Sequence, residues 1–295
     1  MTSSWRTGLL WISPWIIGFL WFMLVPMCLS FYYSFCTYPL LGVPVFNGLE
    51  NYAELVEDKV FWTSVRNTLV FAAITIPLMT VSSIILAVML NTRVWGRGFF
   101  RAVIYLPTLV PVVSAAIIWQ WLYNGDVGLI NHVFGPVLSL FTPKGQGPPN
   151  WLTDSSWAMS AFIFMSLWTI GQSVVITIAA LQDVPVTLYE AAYLDGAGVT
   201  KRFLHVTCPM ISPVILFNVI MALIGTLQYF VQPFIMTEGG PGDATRFYSM
   251  YLYDQAFKFR NMGLANSMAW IQLLFVLMLT GLVFWCSRRF VHYER

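Results

Sequence analysis

EAAYLDGAGVTKRFLHVTCPMISP, residues 190–213, is the most polar and helix-breaking interval between two long apolar runs, and the organisation of the chain follows from it. Asp183 is placed to cap a short helix with Pro185 in its first turn, where a missing N–H costs little. Gly196 and Gly198 supply the left-handed or tight backbone that ends such a helix. A second short helix is expected over residues 199–208, until Pro209 and Pro213 interrupt it and hand the chain to the next apolar run. The pair reads as a helix-turn-helix lying across a membrane surface, with Ala191 and Ala192 small enough for another surface to approach closely. A docking partner is implied.

The composition sets the surroundings. Of 295 residues, 58% are hydrophobic and 9% charged, with mean hydropathy +0.71. An ordinary soluble domain carries about 25% charged residues, so this is a polytopic membrane protein, with membrane lipid around its spans. The net charge of +2 comes from scattered basic residues with no long run, and no nucleic-acid partner is expected. Cys28 and Cys36 lie eight residues apart, about 12 Å on one helix and too far for a disulfide. His132, His205 and His292 have no metal-ligand spacing.

Hydropathy gives six spans and an all-α fold. The first, residues 9–35, follows Arg6 as a retained signal anchor and carries Pro14 and Pro26. Residues 37–66 form an external loop with an amphipathic surface helix over 51–65. The second span is 67–90, and the short loop after it, with Arg93, Arg97 and Arg101 and no acid, belongs inside. The third, 102–123, contains Pro107 and Pro111 and ends in the interfacial aromatics Trp119, Trp121 and Tyr123. Residues 125–155 are external, and the Gly and Pro content of 143–149 argues against a folded domain there. The fourth and fifth spans, 157–181 and 214–235, flank the docking loop 182–213. Residues 238–263 are external, and the last span, 264–286, ends at Arg288 and Arg289.

The expected organisation is thus a tail and first span (1–36), the external loop (37–66), a core (67–290) and a cytoplasmic tail (291–295). With both termini inside, Arg6, Arg93, Arg97, Arg101, Lys201, Arg202, Arg288, Arg289 and Arg295 are cytoplasmic. Lys59, Arg66, Lys144, Arg246, Lys258 and Arg260 are external, so nine basic residues lie inside against six outside.

All 13 acidic residues fall in expected loops or tails, and no basic residue sits mid-span. Ion-coupled carriers usually need ionisable groups at membrane depth, so the driving energy comes from elsewhere. The spans carry neutral hydrogen-bonding groups instead, among them Gln120, Thr169, Gln172 and Thr177. On the fifth span Asn218, Met221, Gly225, Gln228 and Gln232 follow steps of three and four and share one helix face. That stripe, with Tyr229 and Gln172, is the candidate pathway lining. Amides and hydroxyls bind sugar hydroxyls while aromatic faces cover apolar ring surface. The competing reading is that the amides only join packed helices, at roughly 0.6–2 kcal/mol each. No aromatic box stands out among the 23 phenylalanines. DGAGVT follows a helix and lacks the further glycine and lysine of a phosphate loop, so this chain is not expected to bind ATP.

Residues 190–213 resemble the EAA loop of ABC importer permeases, matching at Glu190, Ala191, Ala192, Asp195, Gly196, Ala197, Phe203, Pro209 and Pro213. Val206 and Cys208 stand where that loop usually has isoleucine and leucine. MTEGGPGDAT (236–245), GLENYAEL from Gly48 and MGLANS ending at Ser267 resemble the first permease of carbohydrate and glycerol-phosphate importers of the maltose-transporter type. The resemblance implies a type I importer fold in a bacterial inner membrane, its loop forming a cytoplasmic coupling helix in a cleft of the ATPase. Implied partners are a second, non-identical permease, an ATPase dimer and an extracytoplasmic solute-binding protein. ATP and magnesium would sit on the ATPase, with no cofactor on this chain. The alternative is an ATP-independent carrier or a membrane-embedded enzyme.

Overall fold

The computed structural model describes residues 5–92, 95–140, 142 and 147–288, all but the side chain of Arg6. Arg93, Lys144, Arg289, Arg295 and the tail 291–295 lie outside the described residues, as do residues 143–146 of the Gly- and Pro-rich stretch.

Proline decides where the apolar runs stay straight. In the first span, α1 (Trp5–Phe19) and α2 (Val25–Tyr33) join through a π turn, Leu20–Leu24. Pro26 offers no N–H and displaces the carbonyl four residues earlier, which favours the wider turn just before it. Two short strands follow, β1 (Cys36–Thr37) antiparallel to β2 (Val45–Phe46), then α3 (Glu50–Glu57) and α4 (Lys59–Asn91). The expected surface helix over 51–65 is therefore cut at Asp58. Its backbone is extended there, and its carboxylate accepts the Val60 N–H at 2.8 Å to start α4. Lys59 and Arg66, expected in a loop, belong to that helix.

The third run departs most from expectation. α5 (Arg97–Tyr105), a 3-10 turn at Leu106–Leu109 and α6 (Val112–Leu122) are bent by 101°. Pro111 excludes the helical region for the residue before it, and Val110 is accordingly extended at φ −74°, ψ 126°. After α7 (Leu129–Leu138), α8 (Ser155–Trp168) is capped by Asp154, which accepts the Ser156 N–H at 2.9 Å. α8 meets α9 (Gly171–Asp183) at 44°. A Cβ at Gly171 would lie 2.3 Å from the Ile104 carbonyl oxygen, so only glycine lets α9 start against that backbone.

The docking loop gives α10 (Val186–Leu194) and α11 (Val199–Arg202). Asp183 is the last residue of α9 and not a cap; Pro185 takes the N-cap position. Gly198 is extended and not left-handed. Nor does the second helix stop at the prolines. A π turn (Phe203–Thr207) leads directly into α12 (Cys208–Leu227), with Pro209 in its first turn, where no donor is needed. The chain ends with α13 (Val231–Met236), α14 (Tyr248–Tyr253), a π turn (Asp254–Lys258) and α15 (Met262–Ser287). Among the described residues four helices are long and apolar enough to cross a membrane, Thr7–Tyr33, Lys59–Asn91, Val199–Met236 and Met262–Ser287, and the number is six if each of the two bent pairs is one span.

The chain divides into two compact units. One comprises Met1–Phe61 and Tyr251–Phe275. In it Asn51 Nδ2 donates to the Ser34 and Cys36 carbonyls, both at 2.9 Å, Ser267 Oγ donates to Ser34 O at 2.8 Å, and Ser30 Oγ donates to Asn266 Oδ1 at 2.6 Å. Tyr251 donates its phenol to Asp58 and receives a hydrogen bond from Gln255. The residues of GLENYAEL and MGLANS thus hold one loop to one helix. A Cβ at Gly263 would lie 2.1 Å from Cys36 O. Gly263→Ala is therefore expected to destabilise this unit by about 1–3 kcal/mol, read as a lower thermal midpoint of the detergent-purified chain. An unchanged midpoint would contradict that packing.

The other unit comprises Trp62–Met250 and Val276–Arg295. Its two apolar clusters centre on Phe71, Tyr123, Phe162 and Phe247, and on Ala87, Val174, Leu181 and Ile211.

Candidate functional site

Two features of this second unit bear on function: an exposed hairpin and a cavity. In the hairpin, α10 ends in a Schellman motif. Gly196 adopts φ +75°, its N–H donates to Tyr193 O at 3.0 Å, and the Ala197 N–H donates to Ala192 O at 2.9 Å. The spacing of Ala192, Asp195, Gly196 and Ala197 is what this cap demands. Glu190, Ala191 and Asp195 are exposed, Ala192 and Ala197 half-buried. Beside the two carboxylates Tyr193, Leu194 and Val199 are 67%, 85% and 75% exposed, an apolar surface.

The base of the hairpin is anchored. Tyr189 and Thr207 share a hydroxyl hydrogen bond at 2.9 Å, and Tyr189 and Val206 pack against the cluster containing Leu90, Leu181 and Ile211. Phe203 opens the π turn and Pro209 lies in the first turn of α12, so both belong to the continuous helix leaving the hairpin. Arg202 stands over the Tyr193 ring at 5.7 Å. α10 is thus tied at its base to the continuous helix that runs from α11 through the π turn into α12.

The expected pathway residues divide. Pro233 cannot donate, and its ring crowds the carbonyl four residues back. The helix breaks there, between Leu227 and Val231. Asn218, Met221, Gly225, Gln228 and Gln232 therefore do not form one helical stripe. Gln228 caps α12, is exposed, and does not line the cavity. The others do, joined across the break by Tyr229. The cavity, about 330 Å³, is also lined by Thr169 at the α8–α9 bend and by Gln172 on α9.

Asn218 donates to Thr177 Oγ1 at 3.2 Å, and Thr177 donates to Ser173 O at 2.7 Å. This amide joins α9 to α12 as well as facing the cavity. The side chains of Gln172 and Gln232 make no hydrogen bond among the described residues, and the buried Tyr229 hydroxyl beside Ser166 has no well-formed one. A Cβ at Gly225 would meet nothing within 4 Å; the glycine leaves room in the cavity and is not required by packing. Among the described residues no Asp, Glu, Lys or Arg lines the cavity. Among the described residues no three His, Cys, Asp or Glu gather as metal ligands.

Tyr229 is held in an aromatic box absent from the sequence reading. Its ring centroid lies 4.7, 5.3 and 5.9 Å from those of Phe71, Phe247 and Phe162. These residues come from α4, α8 and the segment before α14, and nothing in their sequence spacing marks them. The MTEGGPGDAT segment is ordered rather than loose. Glu238, Gly239, Gly242 and Asp243 have positive φ, Thr237 and Thr245 share a hydrogen bond at 2.7 Å, and Asn67 Nδ2 donates to Asp243 O at 2.7 Å.

Comparison with known proteins places this architecture. A family model described as "Binding-protein-dependent transport system inner membrane component" matches residues 79–292. The probable ABC transporter permease protein YesP of Bacillus subtilis is 35% identical over 97% of this chain and 92% of its own length. The lactose transport system permease protein LacF of Rhizobium radiobacter is 34% identical, covering 95% and 94%. The trehalose/maltose transport system permease protein MalF of Thermococcus litoralis is 33% identical, covering 88% and 84%. A chain from the crystal structure of a bacterial ABC transporter involved in import of the acidic polysaccharide alginate superposes with TM-score 0.80. It is 22% identical and covers 97% of both chains, a likeness of fold.

Proposed function

The chain belongs to the binding-protein-dependent transport system inner membrane component family as a permease subunit of an ABC importer, and on that footing we propose that it conducts an uncharged sugar. Membership makes it a transport subunit, leaving the lone carrier and the embedded enzyme without support. The observation that carries the choice of solute is the cavity of Gln172, Tyr229 and Gln232. It offers neutral donors and acceptors beside an aromatic ring, with no cation among the described residues to hold a phosphate or carboxylate. The names of the lactose and trehalose/maltose relatives agree with a sugar.

The exposed hairpin from Glu190 to Phe203 docks into an ATPase dimer, which binds ATP and magnesium. A second permease completes the pathway, a solute-binding protein delivers the sugar, and both termini lie in the cytoplasm. ATP-driven closure of the ATPases moves α10, and α12 carries that motion to the cavity. Proteoliposomes holding the complete transporter test this. With ATP and the binding protein they are expected to accumulate labelled neutral sugars (glucose, lactose, maltose, trehalose or maltotriose) and not glycerol 3-phosphate or galacturonate. Uptake of only the anionic compounds, or uptake without ATP, would contradict the proposal.

A further inference from the structure

A cleft of about 280 Å³ lies at the base of the hairpin, walled by the end of α4, by α9 at Leu181, by α10 at Tyr189 and by the helix from Val199 to Thr207. Its volume is near the lower edge of small-molecule sites, roughly 300–1,000 Å³. Unlike the first cavity it holds a cation, Arg202, and among the described residues no carboxylate lines it. We infer that this cleft binds a phosphoryl group, held by Arg202 and Asn91, so that an anionic ligand bridges α4 and the hairpin.

The cation lacks an acceptor. Arg202 Nε is buried with no hydrogen-bond partner, and the guanidinium forms no ion pair among the described residues. The Tyr193 ring, 5.7 Å from Cζ, attracts the charge but gives the N–H groups no oxygen to donate to. A donor removed from water is costly until an acceptor reaches it, and phosphate oxygens match the fork of guanidinium donors.

The facing wall supplies neutral donors. Asn91 is the last residue of α4, and its side chain makes no hydrogen bond among the described residues, so its NH₂ is available. Tyr189 and Thr207 share one hydrogen bond at 2.9 Å, which uses one of their two hydroxyl protons and leaves the other. The carbonyls at a helix C-terminus ordinarily repel an anion. Here Arg101 Nη2 donates to Leu90 O at 3.2 Å and Thr92 Oγ1 donates to Met89 O at 2.6 Å, which covers two of them and brings a second positive charge to that end of α4. Val88, Leu181 and Phe203 complete the wall with apolar surface, suited to the carbon skeleton that carries the phosphoryl group.

Two kinds of molecule present such a group: a soluble phosphate monoester and the headgroup of an anionic phospholipid. The chemistry at Arg202 is the same for both. Neither depends on which solute the first cavity conducts.

The test uses the chain purified with the proteins that accompany it, in phosphate-free detergent micelles and without nucleotide. In one arm it is titrated with labelled inorganic phosphate and glucose 6-phosphate. In the other, phosphatidylglycerol is added to the micelles and the lipid retained per chain is counted by mass spectrometry. Arg202→Gln and, separately, Asn91→Ala are each expected to weaken binding about tenfold, the effect of one lost hydrogen bond to a charged group. Asn91 lies outside the hairpin, so its result does not depend on how Arg202→Gln packs. Hydrogen exchange of residues 88–92 and 199–207 is expected to slow when the parent binds its ligand, which separates the cleft from phosphate sites on an accompanying ATPase. Weaker binding of the soluble phosphates by both variants supports the site with a soluble ester as its ligand, and weaker retention of phosphatidylglycerol alone supports it with a lipid. If either variant binds like the parent in both arms, or exchange of both segments is unchanged, the site is overturned, and the sugar uptake expected of the transporter is untouched.

Discussion

Gly196→Pro is expected to lower ATP-driven uptake about a hundredfold. Proline fixes φ near −65° and removes the N–H, a misfit that costs about 3 kcal/mol or more, or about two decades in an equilibrium. At this position φ is +75° and the N–H is bonded to Tyr193 O at 3.0 Å, so both requirements of the Schellman cap are violated. The damage is local, because a side chain at Gly196 meets no neighbouring atom within 4 Å. The spans are expected to remain intact, while the angle between α10 and α11 changes and the Glu190–Asp195 surface no longer matches its partner.

A graded series separates conformation from bulk. Gly196→Asn is expected to retain most transport, because asparagine tolerates the left-handed region. Gly196→Ala should fall between, at roughly 1–2 kcal/mol of strain. Uptake and ATP hydrolysis are measured together in proteoliposomes. Uptake that follows side-chain size instead of left-handed tolerance would contradict the role given to this glycine.

The second large effect is expected at Gly225. Phenylalanine there can be accommodated by the backbone, since a Cβ meets nothing within 4 Å and φ is not positive, but its ring must enter the cavity shared by Gln172, Tyr229 and Gln232. Gly225→Phe should therefore abolish uptake in a transporter that still assembles, whereas Gly225→Ala should lose little. Gln172→Leu removes hydrogen-bonding capacity without filling the space, and is expected to lower uptake about tenfold or more, the effect of roughly 1–3 kcal/mol. Substantial uptake by assembled Gly225→Phe transporter would show that solute does not pass this cavity.

How far the sequence carried the reading depends on whether a feature is local. The Schellman cap was legible because its determinants lie within a few residues, ending in a glycine that must be left-handed. The long apolar runs were legible because bilayer thickness sets their length, and four of them are single helices among the described residues. Their bends were only half legible. Pro107 and Pro111 could be seen, but whether a proline is absorbed, as Pro209 is, or bends a span by 101° depends on what packs beside it. The break after Leu227 has its cause in Pro233, so the single helical stripe that grouped Gln228 with Gln232 does not form. Gly171 and Gly263 touch backbone more than sixty residues away, and the box around Tyr229 comes from three distant segments. Such contacts leave no periodicity to read.

The central claim is that this chain works as one permease within an ATP-driven assembly, joined to its motor through the hairpin at Glu190–Phe203. The most direct measurement is gentle affinity purification of the chain, tagged at Arg295, from its native membrane, with identification and stoichiometry of the proteins that accompany it. Recovery of one related but non-identical permease and two copies of an ATPase, with the ATPase lost and the permease retained in Gly196→Pro, is the predicted result. A folded, transport-competent monomer or homo-oligomer carrying no ATPase would contradict it.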